Sequence, residues 1–140
     1  SPSPYPERGM HSITLWLGAC GADPKEAEHL ATACNHGLFS QPSNAHTGSL
    51  PMESSLLQAE SGYAVISAVL PGEDGKVLVR AYGTAGEKED VILRFAVDVA
   101  EAKAVNLFGK EQDGEVRVSG NQVAFAVEPY ALAEVEVSFA

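Results

Sequence analysis

Residues 91–97 place Val91, Leu93, Phe95 and Val97 on one face of an extended chain, and the same two-residue period recurs through most of the sequence. Successive side chains of a strand point to opposite faces, so this period buries one face and wets the other, which a helix cannot do. Residues 76–82 (KVLVRAY) set Val77 and Val79 against Leu78 and Arg80. Val116 and Val118 lead into Ser119-Gly120-Asn121, a hairpin turn, and then into Val123, Phe125 and Val127. The last run predicts Val135, Val137 and Phe139 buried, with Glu134, Glu136 and Ser138 exposed. Residues 103–108 (KAVNLF) read as a shorter strand, and residues 63–70 (YAVISAVL) are apolar on both faces, as in a central strand covered on both sides. Turn chemistry separates these runs, notably at Gly72-Glu73-Asp74-Gly75 and Asp113-Gly114. Short strands with turns at such intervals predict a mainly β fold, an antiparallel β-sandwich.

The N-terminal part is different. Residues 12–17 (SITLWL) alternate and predict a half-buried strand, with Ile13, Leu15 and Leu17 on one face and Ser12, Thr14 and Trp16 on the other. One short α-helix follows, over about residues 24–35. Asp23 is its N-cap, Pro24 suits the first helical position, and Glu26 completes a capping box. Ala27, Leu30, Ala31 and Cys34 form a narrow apolar stripe, and Gly37 stops the helix. Residues 37–54 are a polar loop, long enough that it should lie across the sandwich or contact another domain.

A chain of 140 residues, 45% of them hydrophobic, suits one domain with a real core. The expected organisation is a single domain over residues 1–140, and the Pro-rich opening without an initiator Met reads as an internal edge of a longer protein. Nine basic residues are scattered among nineteen acids, for a net charge of −10, which argues against nucleic acid and against anionic membrane surfaces. No apolar run approaches the roughly 18 residues of a membrane-spanning helix. Two cysteines, Cys20 and Cys34, are few for a disulfide framework and read as reduced thiols in a bacterial-type cytosol, although the connecting loop leaves one bridge open.

Candidate chemistry is sparse. Carboxylates that share acid–base work must converge on one bond, whereas Glu73 and Asp74 are neighbours at a turn and should diverge into solvent. Glu87, Glu89 and Asp90 read as a solvated surface. His29 and His36 lie seven residues apart, a rise of roughly 10 Å on a helix; paired zinc ligands on a helix sit four apart. His46 stands alone in the loop. Cys34 belongs to the apolar stripe, and Gly83-Thr84-Ala85-Gly86 lacks the length and the Lys of a phosphate loop. Neither a catalytic nor a metal site is expected. Trp16, on the polar face of its strand, could stack on a sugar ring or pack against a neighbouring domain.

The order of several short motifs resembles the C-terminal β domain of bacterial family 38 glycoside hydrolases. Ser3-Pro4, Tyr5-Pro6, Arg8-Gly9-Met10-His11 and Trp16-Leu17 resemble the entry to that domain, and Asn35-His36-Gly37-Leu38 its N-x-x-L after an Ala- and Glu-rich helix. Glu73-Asp74-Gly75, Val79-Arg80 and Tyr82 resemble its strand, acidic turn and strand. AKAVNLFGKE and the close around Glu128-Pro129-Tyr130 follow in the family's order. The chain departs from the pattern at Ala19-Cys20, Leu70-Pro71 and Ala131. The resemblance implies part of a galactose-mutarotase-like supersandwich. It also implies a parent that is a retaining, metal-dependent exo-α-mannosidase, whose nucleophile and zinc lie in a catalytic domain outside this chain. The chain would then hold no cofactor itself. It would support that catalytic domain as a non-catalytic, cytoplasmic partner, with the parent's oligosaccharide nearby. Arg8, His11 and Trp16 are the candidates for sugar contact or a domain interface. The alternative is an independent carbohydrate-binding module, which would carry an exposed row of aromatics.

Overall fold

The computed structural model describes residues 9–45, 47–49 and 51–140. The chain divides into two compact units, Ser1–Phe39 and Ser40–Ala140. The first contains helix α1, Pro24–Asn35, with the predicted bounds. Its Asp23 side chain accepts from the Lys25 amide at 2.9 Å. Glu26 departs from the predicted capping box: its carboxylate accepts from the Gly21 amide at 2.6 Å, so it ties down the preceding turn. Residues 12–17 form no strand, contrary to the expectation from their alternation. Alternation prepares a segment to pair but supplies no neighbour, and a strand exists only through its ladder.

The second unit is the β-sandwich. Its strands are β1 (Leu57–Glu60), β2 (Ala64–Pro71), β3 (Val77–Gly83), β4 (Glu89–Phe95), β5 (Val99–Val105), β6 (Val116–Ser119), β7 (Gln122–Val127) and β8 (Leu132–Phe139). They form two four-stranded antiparallel sheets, β1-β4-β7-β6 and β2-β3-β8-β5. The chain passes from one sheet to the other at every connection except the β2–β3 and β6–β7 hairpins. The second hairpin turns on Gly120 and Asn121, with Ser119 opposite Gln122 and Gly120 at φ +58°, where a side chain would be strained. Asn121 also caps β4, donating from Nδ2 to the Phe95 carbonyl at 2.7 Å.

The core is the set of inward positions of both sheets. Val91, Leu93, Phe95, Val123, Phe125 and Val127 meet Val79, Ala81, Val99, Val135 and Val137. Each large buried side chain contributes about 1.5–3 kcal/mol. Phe95 and Phe139 join the sheets edge-to-face at 5.2 Å. Gly83 lets the end of β3 approach the β7–β8 connection: an added Cβ would sit 2.9 Å from the Glu128 carbonyl oxygen.

Four expectations need correction. β2 is an edge strand, not a central one, and much of it is exposed, because apolar residues on both faces do not determine a strand's place in the sheet. The strand read at 103–108 is Val99–Val105. Asn106 ends it by accepting the Phe108 and Lys110 amides on its side chain at 2.9 and 3.0 Å. Val97 falls outside β4 and is exposed. Glu134 is buried although its position faces outward. The described residues of the 37–54 loop are exposed and have no regular structure.

Candidate functional site

Of the three residues singled out from the sequence, Arg8 lies outside the described residues. His11 and Trp16 are exposed, Trp16 to 66%. Trp16 lines a shallow apolar groove of the first unit with Thr14, Leu15 and the helix residues Ala27, Leu30, Ala31 and Cys34. Cys20 and Cys34 border this groove as free thiols, and Cys34 is only half-buried, short of the burial its place on the helix stripe suggests. His36 caps the helix, its ring 3.2 Å from the Thr32 carbonyl. His46 lies outside the described residues. Among the described residues no cluster of three or more His, Cys, Asp or Glu side chains could hold a metal ion.

The acidic candidates behave structurally. Glu73 and Asp74 sit exposed on a one-turn 3-10 segment, with Asp74 at φ +53°. Glu89 is not simply solvated. Half-buried at the start of β4, it accepts the Tyr63 amide at 2.7 Å and so clasps the start of β2. Thr84 completes that clasp, its amide donating to the Tyr63 carbonyl at 3.0 Å.

The most organised polar array lies on the outer face of sheet β2-β3-β8-β5. Register puts Arg80 opposite Glu134 and Leu78 opposite Glu136, alternating with the inward pairs Val77–Val137, Val79–Val135 and Ala81–Ala133. Arg80 Nε donates to Glu134 at 2.6 Å, and the Glu134 side chain is only 2% exposed. Lys76 and Lys103 approach Glu136 at 3.0 and 3.4 Å, and Lys103 reaches Glu111 at 3.5 Å. The hydrogen bond from Lys76, then the charges of Lys76 and Lys103, hold the Glu136 carboxyl below its ordinary range. The Glu136 carboxylate, with Glu111 adding to it, raises Lys103. These charges therefore answer one another, and the face carries little net charge outward.

Apolar groups surround this array. Leu70 pairs with Leu78, Tyr82 with Leu132, and Val65 with Tyr82. Leu70 and Leu132 are exposed. The Asn106 turn, where β5 ends, carries Phe108 with 89% of its surface exposed. The outer face of the other sheet is ordinary by comparison, made of Gln58, Glu60, Asp90, Arg94, Arg117 and Gln122 around Ile92. A cleft of about 650 Å³ opens beside β6, floored by Ala104, Val116, Phe125 and Val135. Its rim charges pair with each other, Arg117 with Asp90 and Glu115 at 3.7 Å and Lys88 with Glu128 at 2.6 Å. The Glu128 hydrogen bond raises Lys88.

The sequence reading missed Glu134 and the array it belongs to. The available signal was the complementary set of outward charges, Lys76, Arg80 and Lys103 against Glu134 and Glu136. Only the strand order reveals that they meet.

No curated protein and no solved structure matches the chain. A family model does: the glycosyl hydrolases family 38 C-terminal beta sandwich domain matches residues 63–133, from β2 into β8, just over half of the chain. The opening motifs around Arg8, His11 and Trp16 lie outside the matched segment. The observed two-sheet architecture agrees with that domain's description, and the chain accordingly belongs to family 38 of the glycosyl hydrolases as a C-terminal beta-sandwich domain.

Proposed function

We propose that this domain is the non-catalytic support of a retaining, metal-dependent α-mannosidase, and that it packs against the catalytic part through the outer face of sheet β2-β3-β8-β5. The family match carries the reading. The surface chemistry supports the choice of face: internally neutralised charges beside the exposed Leu70 and Leu132 suit contact with a largely uncharged protein surface. An exposed aromatic on a hydrogen-bonded turn loses little freedom when it docks, which favours Phe108 as an anchor. Nucleophile, acid and sugar-binding zinc would all belong to the catalytic part. This domain would add rigidity and position. Two free thiols support a reducing, cytoplasmic setting.

The test is hydrolysis of an aryl α-mannoside with zinc, by residues 1–140 alone and by the complete enzyme. The complete enzyme should turn over and the domain alone should not. Turnover by the domain alone, or an inert but folded complete enzyme, would refute the reading. Phe108→Asp should lower the melting temperature of the complete enzyme while leaving that of the isolated domain unchanged.

A further inference from the structure

Both sheets of the sandwich lose their outermost strand at the same end. β6 begins at Val116, opposite Phe125, so Ala126 and Val127 of β7 have a neighbour only in β4. β5 ends at Val105, opposite Glu134, so Leu132 and Ala133 of β8 have a neighbour only in β3. The segment leading into β6 is pinned to β5 instead of filling the gap. The Gln112 amide donates to the Ala104 carbonyl at 3.0 Å, and a Cβ on Gly114 would sit 2.8 Å from that of Ala104. The result is the cleft of about 650 Å³, within the size range of small-molecule sites. All of its lining belongs to the second unit.

The two sets of rim charges differ in kind. Lys88 and Glu128 bond directly at 2.6 Å. Arg117 instead stands 3.7 Å from Asp90 and 3.7 Å from Glu115. That is close enough for attraction and too long for a hydrogen bond, so guanidinium N–H groups and carboxylate oxygens face one another unspent. A hydroxyl suits such a gap, because it accepts from the guanidinium and donates to a carboxylate at once. Two neighbouring hydroxyls do this toward Asp90 and Glu115 together. An anion in the cleft meets an excess of carboxylate from Asp90, Asp113, Glu115 and Glu128, and a cation meets Lys88 and Arg117. A neutral polyol meets neither repulsion. Below the rim, Ala104, Val116 and Phe125 give an apolar floor, which suits the C–H face of a pyranose ring.

We propose that this cleft is a saccharide subsite, in which Arg117, Asp90 and Glu115 hold neighbouring hydroxyls of a neutral hexose unit above Val116 and Phe125. The source of that hexose rests on the accessory-domain reading: it is a mannose unit of the parent's oligosaccharide, bound away from the bond that is cleaved. The charges that answer one another across the cleft keep the hydroxyl-binding groups in place before the sugar arrives. Binding is weak, since each hydroxyl exchanges water for protein.

Titration of residues 1–140 with methyl α-mannoside, followed through backbone amide chemical shifts, tests the idea. The amides of Asp90, Glu115 and Arg117 should move together and saturate at millimolar sugar. Arg117→Ala should weaken binding by about tenfold or more, through loss of charge-assisted hydrogen bonds. Arg94→Ala, which removes the pair with Glu60 elsewhere on the same sheet, should leave binding unchanged. Arg117 is exposed, so its variant should keep the wild-type melting temperature, and the wild-type titration decides if it does not. Inorganic phosphate and spermidine, as charged probes at matched ionic strength, should not move those amides. Shifts absent well above millimolar sugar, confined to the Trp16 groove, or produced by the charged probes instead would overturn the inference. The aryl α-mannoside assay on the complete enzyme keeps the two readings apart. An active enzyme whose domain binds no sugar would remove the subsite and leave the accessory reading standing. Sugar bound at Arg117 in a chain whose complete enzyme is inert would uphold the subsite while removing the mannosidase assignment.

Discussion

The first unit, through Phe39, and the second, from Ser40 onward, both carry alternating apolar runs, yet only the second turns them into a core. In the second, Val79, Val91, Leu93, Val123, Val127, Val135 and Val137 are fully buried because each run finds a neighbour and a facing sheet. In the first, Ile13, Leu15 and Leu17 alternate as regularly and stay exposed. A pattern states which side of a strand wants burial; it does not state whether anything is there to bury it. The difference is therefore one of partners and not of composition.

Core truncation is the most forceful way to break this comparison. Leu93→Ala should cost the second unit about 3–4 kcal/mol in urea unfolding, by transfer and cavity losses together. Leu17→Ala should change the same midpoint by less than about 0.5 kcal/mol. Equal losses would mean that the two units share one core.

Next in size is the outward ion pair. Glu134→Ala removes a buried carboxylate but leaves Arg80 with access to water, so the cost should be about 1–3 kcal/mol, short of that for a fully buried pair. Glu128→Ala, which breaks the exposed contact with Lys88, should leave the unfolding midpoint close to that of the wild type. If the two variants are alike in chemical denaturation, the face carrying Glu134 is no more specialised than any solvated surface.

The helix is sharpened by its cap. Asp23→Ala should lower the stability of α1 by about 1 kcal/mol, seen as loss of helical circular dichroism at low temperature. The main melting transition, which reports the sandwich, should stay in place. Coupled loss of both would argue against separate units.

The smallest effect is that of pH. Glu136 is held below its ordinary value, so its stabilisation is complete above that value and fades as acid takes the pH below 4.5 and on through the lowered value. Lys103 is raised, so its contribution is complete below 10.5 and is lost as alkali takes the pH through the raised value. Glu136→Gln should flatten the acid limb of a stability–pH curve for the sandwich without altering the helical signal. An unchanged limb would show that the Lys76–Glu136–Lys103 array does not couple to folding.

Much of the fold was legible in the sequence. Asp23-Pro24 and Gly37 bracketed the helix, and the turns at Gly72–Gly75 and Gly120-Asn121 marked both hairpins. Inward positions such as Leu93, Phe125 and Val135 followed from alternation alone. What could not be read was adjacency. Nothing local tells β2 that it lies at an edge, or tells Glu134 that β3 delivers Arg80 beside it. The candidate interface was the least legible part, because its charges come from β3, β5 and β8, which are distant in sequence. Phe108 was read as the end of a strand, and the Asx-turn capacity of Asn106 was the overlooked cue. Trp16 stood out only by its mismatch with the face of a strand that does not form.

The order of strands within sheet β2-β3-β8-β5 has a kinetic consequence. β8 lies between β3 and β5, yet it is the last of these strands to leave the ribosome. Until Leu132–Phe139 emerges, the β2–β3 hairpin is half a sheet and β5 has no neighbour to pair with. Closing that gap brings Val77 against Val137, across most of the sandwich's sequence. Long closures of this kind slow folding toward the millisecond-to-second range typical of all-β domains, and meanwhile the edges of β3 and β5 stand open. During synthesis the sheet is thus a clasp whose pin arrives last, and a nascent chain stalled before Leu132 presents the aggregation-prone surfaces that chaperones recognise.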